Sequence, residues 1–302
     1  MKKKNLLISG GTGFLGYHLS KAAIKQGLKV TSISQNYPKK KRKIKNVNYL
    51  ICDISKKKDL NKISKKKFDY VVNLAGYVDH SNNREVFNSH YLGCKYLVES
   101  LLKTPPRSFV QIGSSMEYGK LRSPQKESSF CNPISNYGKA KLASTLYIKK
   151  QFLKSGFPAT ILRLYQVYGE NQDVNRFLPI IIKNCIADKR FPCSDGNQFR
   201  DFLHVSDAIR AILKSLKNKN SIGHVINIGS GKCMNLRKII ELIKKQTKGG
   251  KPDYGKIKLR PEEIKKVFPD VKKSKKILNW KSNIKFDNGL KRTINFYKGK
   301  NK

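Results

Sequence analysis

The stretch Ser9-Gly10-Gly11-Thr12-Gly13-Phe14-Leu15-Gly16 leaves this chain fewer folds than any other segment. It follows the apolar run Leu6-Leu7-Ile8 and precedes a helix-like segment from Tyr17 to Gln26. Glycines at 10, 13 and 16 between a strand and a helix let the backbone bend tightly, approach a ligand closely and aim free amides from the helix N-terminus. A side chain at Gly10 or Gly13 would block that approach. A turn of this kind suits a pyrophosphate, and so a dinucleotide. A glycine triplet alone says little; placed in the first strand–helix turn of an alternating chain it says much.

The alternation continues. Residues 28–33, 47–52, 68–75, 108–112 and 159–164 read as further strands, with helices predicted over 56–64, 84–103 and 136–154. That rhythm predicts an α/β chain built on a doubly wound parallel sheet. Past residue 165 the rhythm loosens. Helices are expected over 175–188, 205–216, 235–246 and 286–297, with a strand at 225–228, and the Lys-rich stretch from residue 248 to the last helix reads as irregular. Residues 1–165 are therefore expected to form the nucleotide-binding lobe. Residues 166–302 should form mostly a smaller C-terminal substrate-binding lobe covering the sheet's carboxyl edge, with 205–228 returning to the first lobe.

The chain of 302 residues carries 64 Lys and Arg against 20 acidic residues, a formal net charge of +44. Such a balance invites a nucleic-acid reading. The charge is mostly lysine in short scattered runs, and no nucleic-acid-binding motif is present, so solvated lysine faces account for it better than specific nucleic-acid binding. Six cysteines show neither a CxxC pair nor metal-ligand spacing, which predicts thiols packed in a reducing compartment and no metal site. No apolar stretch approaches the length of a membrane span. A cytoplasmic protein is expected.

Two further groups carry chemistry. Tyr137 and Lys141 lie four residues apart in a predicted helix, hence on one face and one turn apart. An ammonium beside a phenol favours the phenolate and suits it as general acid or base for a hydroxyl–carbonyl interconversion. Ser114 and Ser115 end the fifth strand, where a hydroxyl beside a cofactor can polarise a carbonyl. Glu117 reads as a strand-end residue on another face, and His90 and the Asp79-His80 pair as packed or pocket-lining groups.

Together these motifs resemble the extended short-chain dehydrogenase/reductase family, in its nucleotide-sugar epimerase, dehydratase and reductase branch. The resemblance runs through Gly-Gly-Thr-Gly-Phe-Leu-Gly at 10–16, Cys-Asp-Ile at 52–54, Asn-Leu-Ala-Gly at 73–76, Gly-Ser-Ser-Met-Glu-Tyr-Gly at 113–119 and Tyr137/Lys141. It continues through Leu-Arg-Leu-Tyr-Gln-Val-Tyr-Gly at 162–169, Arg-Asp-Phe-Leu-His-Val-Ser-Asp at 200–207, Asn-Ile-Gly-Ser-Gly at 227–231 and Leu-Asn-Trp at 278–280. It implies a Rossmann lobe and a catalytic set of Ser114, Tyr137 and Lys141. The implied cofactor contacts are Gly10, Thr12, Gly13, Phe14, Leu15, Gly16, Ser34, Asp53, Ile54, Leu74, Ala75 and Gly76, with Tyr137 and Lys141. Ser115, Met116, Gln166, Arg200 and Arg260 are implied on the substrate side, the arginines holding a diphosphate. A nucleotide-diphosphate sugar is the implied substrate, and a homodimer formed through helices 84–103 and 136–154 the implied assembly.

Departures from the family pattern narrow the chemistry. Dehydratases of the family place Asp-Glu after the catalytic hydroxyl; here Ser115 and Met116 stand there, arguing against elimination. At the end of the second strand, where strict NAD users carry an acid for the ribose 2′-hydroxyl, stands Ser34, followed by Lys39, Lys40, Lys41 and Arg42. NADP is therefore favoured, with NAD possible. The resulting expectation is reduction of a 4-keto-(6-deoxy)hexose nucleotide. The alternative is a 4-epimerase that retains NAD, which needs the same three catalytic residues.

Overall fold

The computed structural model describes residues 3–77, 82–259 and 263–299. The first half alternates as the pattern predicts. It runs β1 (Asn5–Ser9), α1 (Phe14–Lys25), β2 (Lys29–Ser34), β3 (Val47–Ile51), α2 (Lys57–Ser64) and β4 (Tyr70–Asn73). Then come α3 (Asn83–Phe87), a π-helical turn (Asn88–Leu92), α4 (Gly93–Leu101), β5 (Ser108–Ser114), α5 (Asn136–Ser155) and β6 (Ala159–Leu164). The second half adds β7 (Gln166–Tyr168), α6 (Phe177–Ile186), β8 (Arg190–Pro192), β9 (Phe199–His204), α7 (Val205–Lys217) and β10 (Val225–Ile228). It ends with β11 (Cys233–Asn235), α8 (Leu236–Thr247), β12 (Lys251–Asp253), β13 (Lys266–Val267), α9 (Lys272–Leu278) and α10 (Phe286–Tyr297).

Seven strands form one parallel sheet in the order β10-β6-β5-β4-β1-β2-β3. The chain winds outward from β1 through β2 to β3, then returns to β4 on the other side of β1. The carboxyl ends of β1 and β4 therefore flank the switch point, where sheets of this kind bind ligands. Both faces are covered, which is why the strands read as continuous apolar runs. Leu6 and Ile8 pack with Leu19 and Ala23 of α1 and Ile209 and Ile212 of α7. Leu7, one residue out of phase, packs with Ile63 of α2, Leu97 of α4 and Ile148 of α5 on the opposite face. Residues 205–228 supply α7 to the first face and β10 to the sheet's edge. A separate core of Leu178, Ile182, Phe191, Ile239, Ile243, Leu290 and Ile294 joins α6, β8, α8 and α10.

Three expectations need correction. The helix predicted over 84–103 is interrupted by the π-helical turn at 88–92. One extra residue in the turn puts the His90 carbonyl within reach of the Ser144 hydroxyl on α5, 2.6 Å away. The stretch from residue 248 to the last helix is ordered into β12 on β8, β13 on β9, and α9. Strands of two or three residues have no periodicity to read, and they exist because the fold brings their partners alongside. In the same way β7, β8 and β11 of the second half gave no strand signal, and the six-residue β9 was not predicted either. Among the described residues no helix is long and apolar enough to cross a membrane.

The two halves are joined around Glu170. Its carboxylate takes Arg292 of α10 at 2.9 Å on one oxygen and lies 3.1 Å from His204 Nε2 with the other, while its carbonyl meets His18 Nε2 of α1 at 2.8 Å. Burial pushes this carboxyl's pKa upward, but His204 and Arg292 outweigh burial and hold it at about 2, below its ordinary 4.5. A carboxyl titrating lower in the folded than in the unfolded chain stabilises the fold above about pH 4.5 and loses that contribution as pH falls toward 2. The shift corresponds to at most about 3 kcal/mol. Melting temperature measured from pH 6 to pH 2.5 should therefore fall more steeply for the wild-type chain than for Glu170→Gln, which starts lower and changes less. Parallel curves would rule this joint out as an acid-sensitive element.

Candidate active site

A cleft of about 1210 Å³ runs along the carboxyl ends of β1, β2, β4 and β5. Its volume exceeds what one drug-sized ligand occupies and suits two ligands end to end. The glycine turn forms one wall. Gly10 has φ +73°, and a Cβ there would stand 2.8 Å from Ala75 N; one at Gly16 would stand 2.4 Å from Gly11 Cα. Both positions are glycine because the protein's own backbone fills the space. Gly13 differs, since a Cβ there would meet only Gly10 O at 3.3 Å. What its missing side chain leaves open is the cleft itself.

Helix α1 begins at this wall with no side-chain cap and no acid in its first turn. The positive end of its dipole and its first amides therefore face the cleft, an arrangement that fits a pyrophosphate. Ser34 accepts from Thr12 N at 3.3 Å and donates to Ile33 O at 2.7 Å, which ties the turn to the end of β2. Gln35, Asn36, Asp53 and Ile54 continue the lining. None of Lys39, Lys40, Lys41 and Arg42 lines it; the Arg42 guanidinium is buried against Asn171 O and Asp173. The favourable charge expected near Ser34 from that run is thus directed elsewhere. Leu74, Ala75 and Gly76 form the floor, positioned by a buried rung in which Ser9 donates to Asn73 and Asn73 to Gln111, while Ala75 N donates to Asn73 Oδ1.

Ser114, Ser115, Met116 and Tyr137 meet at the far end of β5 and all line the cleft. Ser114 caps a short turn: its Oγ accepts from Met116 N at 3.2 Å, and its own N–H donates to Glu117 at 2.8 Å. With an acceptor site on Oγ engaged, the hydroxyl proton is free to point at a ligand oxygen. Lys141 is buried, and its ammonium donates to Ile112 O at 2.8 Å, 5.8 Å from the centre of the Tyr137 ring. The other side of Tyr137 meets His90 edge-on, with ring centres 5.0 Å apart. His90 in turn lies against Gly76, where a Cβ would strike its ring. The π-helical turn thus holds a histidine between the cleft floor and the phenol.

Glu117 is sealed away from the cleft. It is fully buried, with one oxygen paired to Arg163 and hydrogen-bonded by Thr145 and the other closing the Ser114 cap. The sequence offered one sign of this: an arginine inside the apolar strand 159–164 requires a buried acid.

On the second half's side Gln166 and Arg200 line the cleft, joined by Arg176. Arg200 donates to Phe199 O and forms an ion pair with Glu263, which also faces the cleft. Arg260, Asp79 and His80 lie outside the described residues. Arg176 escaped sequence reasoning because a single arginine in a loop carries no pattern.

The family model of the NAD dependent epimerase/dehydratase family matches residues 6–229. The "Putative UDP-glucose 4-epimerase" of Methanocaldococcus jannaschii is 30% identical over 98% of this chain and 99% of its own. A dTDP-6-deoxy-L-talose 4-dehydrogenase (NAD(P)(+)) of Kitasatospora kifunensis is 25% identical over 78% of this chain and 77% of its own. Among solved structures, a UDP-N-acetylglucosamine 4-epimerase from Methanobrevibacter ruminantium, in complex with UDP-N-acetylmuramic acid, superposes with a TM-score of 0.90. It is 26% identical and covers 99% of this chain and 100% of its own.

Two substitutions separate packing from binding. Gly13→Ala should melt near the wild-type temperature yet bind a dinucleotide roughly tenfold or more weakly, read by calorimetric titration. Glu117→Ala should cost about 3–5 kcal/mol of stability by stranding Arg163 in the interior, read by urea unfolding. A Glu117→Ala protein of normal stability would contradict the structural role given to this carboxylate.

Proposed function

The chain belongs to the NAD dependent epimerase/dehydratase family, and on that premise we propose that it interconverts a hydroxyl and a ketone at one carbon of a nucleotide-diphosphate sugar, as a 4-epimerase. The observation that carries the hydroxyl–ketone chemistry is that Ser114 and Tyr137 line one cleft with the glycine turn, with buried Lys141 bonded to Ile112 O behind them. The acids lining the cleft among the described residues are Asp53, Asp173, Asp201 and Glu263, and none belongs to the elements bearing Ser114 and Tyr137. Elimination of water, which needs an acid and a base at the reacting carbons, finds no such pair there.

The glycine turn and the floor of Leu74 to Gly76 would hold the dinucleotide, which would supply hydride exchange with the sugar. This chain's residues do the rest. The Ser114 hydroxyl donates a hydrogen bond to the sugar oxygen, keeping its proton, and so fixes where the carbonyl forms. Tyr137 takes the proton of the sugar hydroxyl as the ketone forms and returns it afterward. Lys141, held by Ile112 O, keeps a positive charge beneath that exchange. Arg200 and Gln166 hold the diphosphate side, leaving the sugar to present either face; Arg200 must then exchange Glu263 for phosphate oxygens, a good match for its planar fork.

A second reading, reduction of a 4-keto-sugar with consumption of the cofactor, is favoured by the relative whose name specifies a 4-dehydrogenase using NAD(P)(+). Ser34, Gln35 and Asn36 present neither an acid against a 2′-phosphate nor a cation for it. NAD and NADP are therefore both expected to bind, within about tenfold of one another by the absence of a charged discriminator. The six free thiols fit a cytoplasmic setting. The exposed Phe87, Leu146 and Leu153 on α3 and α5 fit a homodimer face.

The deciding experiment incubates the purified chain with UDP- and dTDP-hexoses and their 4-keto forms, with and without NADH or NADPH. Epimerisation without added cofactor, and NAD released on denaturation, is the expected result. Stoichiometric loss of reduced-cofactor absorbance would establish the reductase instead. Tyr137→Phe should lower turnover about 10²- to 10⁴-fold. Ser34→Asp should weaken NADP binding selectively.

A further inference from the structure

The loop that follows β7 is held at every residue from 170 to 173. His18 of α1 meets the Glu170 carbonyl, and Arg292 its carboxylate. Arg42 donates to the Asn171 carbonyl at 2.7 Å and to the Asp173 carboxylate at 2.9 Å. Tyr297 donates to the Gln172 carbonyl at 2.5 Å, and Asn171 returns a bond to Lys41 O at 3.4 Å. Gln172, Asp173 and Arg176 face the same cleft as Gly13, Phe14 and Asn36. Arg42 stands outside the cleft, on the stretch after β2, and reaches across to this loop with only 6% of its side chain exposed. A nearly buried guanidinium thus links the nucleotide-binding side to a loop of the other half at the edge of the phosphate end.

We propose that Arg42 and Asp173 form a clasp that holds residues 170–173 over the pyrophosphate end of the bound dinucleotide and sets how fast it leaves. The inference rests on reading this cleft as the dinucleotide site. Two physical effects act together. Arg42 holds the loop in place through two charge-assisted bonds. It also neutralises Asp173, whose carboxylate is 40% exposed and lines a cleft meant for an anion. Without Arg42 the loop loses its ties at the Asn171 carbonyl and the Asp173 carboxylate, and an unpaired carboxylate faces the pyrophosphate. Both effects shorten the stay of the ligand. Arg42 and Asp173 are therefore positioning residues that bear on the kind of turnover: a dinucleotide held in place returns its hydride to the same sugar, and one that leaves readily serves as a consumed reductant.

The test loads the full chain with NADH and follows its fluorescence as excess ADP-ribose displaces it. Arg42→Ala should speed release roughly ten- to hundredfold, the weight of lost bonds to a charged group. Arg42→Lys should fall between, restoring the charge without the second bond. Asp173→Asn, at a half-exposed position that leaves folding intact, should also speed release. The double variant Arg42→Ala/Asp173→Asn should stay fast, because both Arg42 ties remain broken. Circular dichroism and melting curves distinguish these effects from general loosening. Release at the wild-type rate from a folded Arg42→Ala chain overturns the clasp, and so does a return to that rate in the double variant. If Arg42→Ala does not fold, unchanged release from Asp173→Asn overturns it, and faster release supports it. A wild-type chain that binds no NADH would bring down the functional reading and this inference with it; binding with unaltered release in the variants brings down this inference alone.

Discussion

At the carboxyl edge of the sheet, the turn after β1 and the end of β4 pass so close that no side chain fits between them. The space a Cβ would need at Gly10 is taken by the backbone of Leu74 and Ala75. The rest of the site is aligned from this contact. It aims α1 into the cleft, and with the buried Ser9–Asn73–Gln111 rung it fixes the course of Leu74 to Gly76. Gly76 then gives His90 its seat, and His90 meets Tyr137. The phenol's position is therefore coupled to the glycine turn through three close contacts rather than through one long element.

Charge near the reacting end is handled by the opposite means, complete enclosure. Glu117 and Arg163 are buried together, and the same carboxylate closes the cap over Ser114. Such a pair adds little net stability, because desolvation offsets most of its attraction, but it is costly to break. Its value here is geometric. It holds the backbone of Ser114 with one hydroxyl acceptor site filled, so the donor side is left toward the ligand. An acid two residues from the reacting hydroxyl's neighbour thus supports the site without entering the chemistry.

The parallel sheet and most of its helices were legible in the sequence because each reports itself locally, whereas most cleft-lining residues of the first half were reached only through the family resemblance. Apolar runs between helical stretches mark buried parallel strands, and Tyr137 and Lys141 share a helix face by spacing alone. The π-helical turn was not legible, since the contact its extra residue makes is with Ser144 on a different helix. Neither were β8, β12 and β13, whose two or three residues pair only because the fold brings their partners near. The run from Lys39 to Arg42 was legible as charge but not as direction. Arg42 turns to Asp173, 131 positions further on, and nothing near either residue foretells the pairing.

The basic excess of the chain sharpens this reading. With 64 lysines and arginines, most positive charge sits in water, where any one group contributes little. Among the described residues, the basic side chains that are buried are Lys141, Arg42 and Arg163. Burying a cation is unfavourable unless fixed acceptors meet it, so each burial reflects a demand of the surrounding structure. Lys141 donates to a backbone carbonyl and forms no ion pair among the described residues, which leaves its charge uncancelled beside Tyr137. Arg163 is cancelled outright by Glu117 and serves the fold. Arg42 stands between the two, cancelled by an acid that itself faces the cleft. Its charge is neutralised only while the loop stays closed, which makes it the one buried cation of the three whose pairing depends on the position of a segment lining the site.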